Sequence, residues 1–469
     1  MIDSLVVKHK TQDTIVALST VPGQSAIAVI RLSGPQAIAI TDNIFKGAVL
    51  SQVDSHTVHY GKLFKDNVLL DEVVVAVFKN PHSYTGEDVI EISAHGSPYI
   101  VQTILRVLQE EGARMARPGE FTQRAFFYGK LDLSQAEAVA DIIASENASQ
   151  HRIAFQQMRG GYSERIKTLR QELIDFAALL ELELDFSEED VEFANREKLV
   201  ALVHQAQQEI SRLIQSFKLG NVIKKGIPVA IVGKPNAGKS TLLNVLLQDE
   251  KAIVSDIPGT TRDFIEDTLQ INGITYRFID TAGLRETSDA LENLGIERSY
   301  EKMKQAGLVL VVLDIRESLD ALCAQVKALS FEPDQKAILV LNKSDAMDNL
   351  CNAYDVEEAM ATLTRLPVQE VSAKQHRNID KLIEKIEQAV QLDKLSTNDV
   401  VVSNSRHWEA LQEAHTHLVR VLEGLEQKIS GEFISLDMRA ALQALGRITG
   451  QVSNEDILSS VFTRFCIGK

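Results

Sequence analysis

The segment Gly233-Lys234-Pro235-Asn236-Ala237-Gly238-Lys239-Ser240 constrains this chain more than any other. It fits GxxxxGK[ST], follows the apolar run PVAIVG (228–233) and opens the helix-like STLLNVLL. A glycine-rich turn between strand and helix aims several backbone N–H groups at one point, and the helix N-terminus adds partial positive charge there. Phosphate is the expected ligand. Lys239 is placed for the β and γ phosphates and the Ser240 hydroxyl for Mg²⁺, with Asn236, Ala237, Gly238 and Thr241 in the same cradle. Such a loop requires a parallel sheet behind it. Residues 226–391 supply one, alternating the short apolar runs 228–233, 275–280, 308–314, 337–342 and 368–372 with amphipathic stretches.

Three further motifs end strands in order. Asp280-Thr281-Ala282-Gly283 offers a carboxylate for Mg²⁺ through water and a glycine N–H for the γ-phosphate. Asn342-Lys343-Ser344-Asp345 places a carboxylate that accepts the N1–H and 2-amino protons of guanine, neither of which adenine presents. Ser372-Ala373-Lys374 closes the base pocket. GTP is therefore expected rather than ATP. Gly259-Thr260-Thr261-Arg262-Asp263 reads as the first switch, in which Thr260 or Thr261 completes the Mg²⁺ shell, with Asp256, Ile257 and Pro258 contacting the nucleotide just before it. Many GTPases orient the attacking water with a Gln after the DxxG glycine. Here that position is Leu284, so the catalytic group lies elsewhere, among Arg285, Glu286, Asp289 and Glu292.

The flanks differ. Residues 1–128 mix strand-like runs (TIVAL, AIAVIRL, EVVVAVF, DVIEIS) with one helix near 97–111, an α+β domain. Residues 129–220 take helical spacing, expected as three long helices around an acidic break SEEDVE (187–192). Residues 392–469 are helical again, with breaks at 430–433 and 448–456. The expected organisation is an N-terminal domain 1–128, a helical domain 129–220 plus 392–469, and a nucleotide domain 221–391 inserted between its halves. With 469 residues the chain has room for about three domains.

Composition removes several alternatives. The longest apolar run, 306–313, is far short of the ~20 residues of a membrane helix, so no membrane role is expected. Cys323, Cys351 and Cys466 form no CxxC pair, which fits a reducing cytoplasm. The net charge is −16, nearly all of it beyond residue 130, so any RNA contact is local.

GKPNAGKS, DIPGTTRD, DTAGLRE and NKSD together resemble the tRNA-modification GTPases of the MnmE (TrmE) type. TGEDVIEISAHGSP (85–98), ARPGEFTQRAFFYGKLDLSQAEAVADII (116–143) and the terminal FCIGK (465–469) extend the resemblance over nearly the whole chain. The resemblance implies a multidomain fold: an α+β folate-binding N-terminal domain, an all-helical central domain and an inserted Ras-like α/β P-loop GTPase domain. It also implies potassium activation, with K⁺ held by Asn236, Ser255, Ile257 and Thr260 where other enzymes place an arginine finger. Thr261 becomes the Mg²⁺ threonine, and Glu292 the catalytic acid/base acting through water. Ser255 stands where the family usually has Thr.

For the N-terminal domain the resemblance implies 5-formyl-tetrahydrofolate (or methylene-tetrahydrofolate) held by Arg31, Glu91, Lys130 and Lys469, and a homodimer contact. The loop Pro22-Gly23-Gln24-Ser25-Ala26 departs from the family's PGxGG, and Gly96-Ser97 from its Gly-Gly. Cys466 falls near the folate as a candidate for modification chemistry, against the plain reading of a tail residue. The implied activity is GTP hydrolysis coupled, with the flavin-dependent partner MnmG, to building an aminomethyl or carboxymethylaminomethyl group on C5 of the wobble uridine 34 of certain tRNAs. Two other readings compete. A ribosome-assembly GTPase switch calls for a KH-like module and a basic surface, neither evident here. A membrane-remodelling GTPase calls for a basic or apolar amphipathic helix, whereas these helical segments are acidic.

Overall fold

The computed structural model describes residues 13–185, 196–248, 267–271, 274–279, 303–332, 335–346, 350–390, 401–427, 429–452, 455–463, 465, 466 and 468. It divides into two compact units. One comprises Met1–Ser145, Ala154–Ile214 and Arg406–Lys469; the other comprises Glu146–Ile153 and Gln215–Ser405.

The first unit opens with a sheet of seven strands: β1 (Ile15–Leu18), β2 (Ile27–Ser33), β3 (Phe45–Lys46), β4 (Thr57–Lys65), β5 (Val68–Phe78), β6 (Val89–His95) and β7 (Arg114–Met115), in the order β3-β4-β5-β6-β2-β1-β7. All neighbours are antiparallel except the β1–β7 pair. Alternation buries Ile30, Leu32, Val73, Val75, Val77, Ile90 and Ile92 against α1 (Ala37–Ile44) and α2 (Pro98–Glu110). The other face carries a small cluster of Ile15, Ala17, Ala116 and Phe121, the last from α3 (Glu120–Phe127).

The sequence reading has one helix here; the structure has three among the described residues. It also lacks β4, whose pattern is inverted. Val58 and Tyr60 face outward, while Gly61 points in because the Phe45 ring fills its space: a Cβ on Gly61 would lie 2.4 Å from Phe45 Cζ.

A buried ion network fixes α3 to the sheet. Arg124, whose side chain is 3% exposed, donates to the Glu87 carboxylate, to Asp13 and to Glu120. Ser33 on β2 donates to Glu87 at 2.8 Å. A charge so placed is tolerable because three carboxylates surround its two terminal nitrogens, although Nε has no acceptor among the described residues. The network holds the 80–88 loop and the start of α3 in register with β2.

The helices that follow number four among the described residues of 133–225, where three are expected: α4 (Leu133–Ile143), α5 (Ala148–Met158), α6 (Gly161–Asp185) and α7 (Arg196–Lys225). Gly160, at φ +83°, ends α5 and starts α6 afresh. Asp132 and Gln135 form a reciprocal capping box that fixes the start of α4. The acidic break SEEDVE lies outside the described residues.

The second unit carries a six-stranded sheet: β8 (Ile227–Val232), β9 (Asp267–Ile271), β10 (Ile274–Phe278), β11 (Leu308–Asp314), β12 (Lys336–Asn342) and β13 (Val368–Glu370), ordered β13-β12-β11-β8-β10-β9. Every pair is parallel except β9–β10, and the edge strand β9 is absent from the sequence reading. β11 and β12 are buried on both faces, which makes them continuous apolar runs. With α8 (Lys239–Gln248), α9 (Leu319–Lys327), α10 (Leu350–Thr364) and α11 (Ile379–Val390) they form one core on each side of the sheet. Where the chain enters and leaves this sheet, two backbones touch. A Cβ on Gly220 of α7 would lie 2.1 Å from the Val402 carbonyl oxygen, and the Val402 N–H donates to the Ser216 hydroxyl at 3.1 Å.

The chain ends in α12 (Ser405–Glu426), α13 (Gly431–Thr449) and α14 (Glu455–Phe462), interrupted at the expected breaks. Arg406 and His407, in the first turn of α12, both grip Glu137 of α4, at 2.9 and 2.7 Å. The Tyr162 ring stacks on His407. Burial alone would raise the Glu137 pKa, but the charges and hydrogen bonds of His407 and Arg406 outweigh it and hold it at about 2. A folded value below the ordinary 4.5 stabilises the fold above that pH, and this contribution is lost as pH falls through 4.5 towards about 2. Urea unfolding across that window is expected to show the loss in the unaltered protein, and Glu137→Gln to flatten that part of the profile.

Candidate functional site

The phosphate loop leaves β8 through Gly233, at φ +149°, where a Cβ would stand 2.2 Å from the Val312 carbonyl oxygen of β11. No other residue fits that crossing. Asn236 is exposed in the left-handed region, at φ +63°. Gly238 follows at φ +96°, and a Cβ there would strike Asn342 Nδ2 at 2.2 Å. Lys239, Ser240 and Thr241 make the first turn of α8. Lys239 Nζ donates to the carbonyls of Gly233 and Lys234, both at 2.8 Å, so the ammonium arches over the loop it is to serve. Burial lowers its pKa. The Ser240 hydroxyl, a hard oxygen at the helix start, is a donor of the kind Mg²⁺ takes.

The base loop meets the phosphate loop through one carboxamide. Asn342, at the end of β12 and 2% exposed, donates from Nδ2 to the Ala237 carbonyl at 2.9 Å and accepts the Ala373 N–H on Oδ1 at 3.1 Å. Asn342 thus joins GKPNAGKS, NKSD and SAK. Lys343, at φ +69°, reaches Asp314 at 2.8 Å. Asp314 also receives Arg316, and these cations hold its carboxyl far below the usual range. Asp314 was not singled out in the sequence; its signal is an acid closing the run LVLVVLD. Ser344 is buried. Asp345 Oδ1 accepts the Ser372 hydroxyl at 2.6 Å, which ties the carboxylate to the residue before the buried Ala373. Lys374 is exposed beside it.

The structure thus brings together Asn236 to Thr241, Asn342 to Asp345 and Ser372 to Lys374. Ser255, Asp256, Ile257, Pro258, Gly259, Thr260, Thr261, Asp280, Thr281, Ala282, Gly283, Glu292 and Lys469 lie outside the described residues.

A second cluster sits on the first unit's sheet. Arg31 of β2 and Glu91 of β6 are register partners joined at 2.7 Å. The guanidinium lies 5.5 Å from the Tyr84 ring centroid and 5.7 Å from that of Phe121, and the Tyr84 hydroxyl meets Thr122 at 2.8 Å. Lys130 is exposed beside Gly86, in the loop that carries Tyr84. The tail reaches the same sheet. Gly468, at φ +97°, packs where a Cβ would lie 2.2 Å from the Leu18 carbonyl oxygen, and its own carbonyl accepts the Ser19 hydroxyl at 3.2 Å. Leu18 pairs with Ile30, next to Arg31. Cys466 is exposed, and its carbonyl faces the Gly119 N–H. A half-buried cation paired with a carboxylate, with two aromatic rings near the cation, suits a flat heteroaromatic ligand with ring donors and an anionic tail, so this donor set fits a folate. Tyr84 and Phe121 were missed in the sequence; Phe121 lies in the quoted segment 116–143 and Tyr84 directly precedes the segment 85–98, but neither shows a spacing that joins it to Arg31.

Gly96 is also constrained: a Cβ would fall 2.1 Å from Ser25 Oγ. The departures from PGxGG and Gly-Gly therefore meet each other in space.

Comparison with known proteins gives one result. A family model described as the MnmE helical domain matches residues 133–466, and one described as the GTP-binding protein TrmE N-terminus matches 14–130. A protein of Cytophaga hutchinsonii described as tRNA modification GTPase MnmE is 50% identical over 461 residues, 97% of this chain and 98% of that protein. One of the same description from Bacteroides thetaiotaomicron is 50% identical over 472 residues, covering 98% and 100%. No helix among the described residues is long and apolar enough to cross a membrane.

Asn342→Ala removes both bonds that join the loops and leaves a buried N–H and carbonyl unpaired. GDP and GTP affinities measured by calorimetry are expected to fall by about 10–100-fold, the equivalent of two such bonds. Affinities within twofold of the unaltered protein would contradict the bridge.

Proposed function

Because this chain belongs to the MnmE family of tRNA modification GTPases, we propose that its GTP hydrolysis drives formation of an aminomethyl-type group on C5 of uridine 34 in certain tRNAs. It is a GTP hydrolase that acts in tRNA modification. The observation that carries the nucleotide assignment is the Asn342 bridge, which sets a phosphate cradle and a guanine-reading carboxylate at fixed separation.

In this reading Lys239 and the loop N–H groups hold the β and γ phosphates. Asp345 accepts the two guanine donors, and Ala373 and Lys374 close the pocket. Ser240 and Thr261 hold Mg²⁺, which supplies charge neutralisation at the phosphates when bound. Asp280 and Gly283 sense the terminal phosphate. Glu292 is the general acid/base, acting through a water. Asn236, Ser255, Ile257 and Thr260 would hold K⁺, which would supply positive charge where other GTPases place an arginine finger worth about 10³–10⁵ in rate. Asn236 supports this assignment by standing exposed in the left-handed region of the phosphate loop.

The folate derivative is the one-carbon donor, bound by Arg31, Glu91, Lys130 and Lys469 on the first unit's sheet, with Cys466 of the tail nearby. A second copy of the chain and the flavin-dependent protein MnmG complete the assembly, in the cytoplasm. The Arg31–Glu91 pair, with Tyr84 and Phe121 near its cation, supports a folate there.

Two measurements test the proposal. Mass spectrometry of tRNA nucleosides from cells lacking the gene is expected to show loss of 5-aminomethyl-type wobble uridines, restored by the intact gene. Persistence of those nucleosides with accumulation of unjoined ribosomal subunits would replace the modification reading with an assembly switch. For the cation, GTPase rates are expected to be higher in KCl than in NaCl at equal ionic strength, and equal rates would remove potassium from the site.

A further inference from the structure

The base loop is braced from behind by a cation that belongs to none of the nucleotide motifs. After β13 the chain makes a closed turn in which Ser372 and Arg377 exchange both backbone hydrogen bonds, at 3.1 and 3.0 Å. That turn carries Ala373 and Lys374. From its far end Arg377 Nη2 donates to Ser344 Oγ at 2.9 Å and to Glu370 Oε1 at 2.8 Å. Asn378 Nδ2 donates to the other Glu370 oxygen at 3.0 Å, so this buried carboxylate is held at both ends.

Asp345 is thereby approached from two sides. Its neighbour Ser344 is tied to the Arg377 side chain, and its own Oδ1 accepts the hydroxyl of Ser372, which is tied to the Arg377 backbone. A carboxylate that is to accept two donors from one base edge must be held in its plane, since hydrogen bonds weaken steeply off-axis.

We infer that Arg377 is a positioning residue for nucleotide selectivity: through Ser344 and Ser372 it orients Asp345 to accept both the N1–H and the 2-amino group of a guanine. The inference rests on the reading that Asp345 contacts the base; Arg377 acts on it only through Ser344 and Ser372. Its Nε is buried without an acceptor among the described residues, so Nη2 alone carries the bridge. A lysine ammonium, which offers several donors from one atom, can replace that function.

The test compares GTP with ITP, whose base keeps N1–H and lacks the 2-amino group. In Arg377→Ala the KM for GTP is expected to rise about tenfold with kcat at saturation within twofold. The GTP-over-ITP ratio of kcat/KM is expected to fall about tenfold, the loss of one charge-assisted hydrogen bond. Arg377→Lys is expected to restore most of that ratio. An unchanged ratio in folded Arg377→Ala overturns the inference, as does a fall in kcat with KM unmoved or an equal loss of the ratio in Arg377→Lys. If Arg377→Ala does not fold, Ser344→Ala takes its place: it removes one end of the bridge, and an unchanged ratio there overturns the inference too. GTP against ATP in the unaltered protein is measured alongside. No preference for GTP defeats the guanine assignment itself, whereas a clear preference with an unmoved GTP/ITP ratio defeats only the role of Arg377.

Discussion

The carboxamide of Asn342 has a donor end and an acceptor end, and the nucleotide site uses both. The donor end fixes the phosphate loop through the Ala237 carbonyl; the acceptor end fixes the base loop through the Ala373 N–H. An aspartate would lose the first bond and a leucine both. Gly238 must lack a side chain because the carboxamide occupies the space where a Cβ would stand. The separation between the part of the site that reads phosphate and the part that reads base is thus set by one side chain at the end of one strand. The buried strands β11 and β12 hold that strand end in place.

The first unit uses buried charge for a comparable purpose. Arg124 ties the start of α3 to β2 and the 80–88 loop, and so brings both Phe121 and Tyr84 within reach of Arg31. Glu137 ties α4 to the first turn of α12, residues that are more than 260 positions apart in sequence. Networks of this kind add little net stability compared with apolar packing, but removing one member leaves an unpaired buried charge. They therefore penalise wrong registers more than they reward the right one.

How much of this the sequence discloses depends on how local the cause is. The phosphate loop is legible because eight consecutive residues carry its backbone geometry, and the parallel strands because burial on both faces makes them apolar throughout. The strand β4 is hidden because Phe45, from another strand, takes the space that its inward side chain would fill, leaving Gly61 inside and Val58 and Tyr60 outside. Gly160 divides a helical stretch whose periodicity runs on past it. Tyr84 and Phe121 become partners of Arg31 only after two loops fold together, and Arg377 acquires its contacts only from a turn that brings it back to Ser372. Side chains that act across loops leave no periodic trace.

The contact of Gly220 with Val402 has a consequence for the engineering of such a chain. Entry to and exit from the nucleotide-binding segment lie at backbone contact. A loop whose ends already touch costs the host fold the same closure entropy whatever is folded inside it, because that segment orders itself. To the surrounding helices the segment is equivalent to a short hairpin. A segment whose two ends meet in this way can change length between them at little further cost, since closure entropy grows only with the logarithm of loop length.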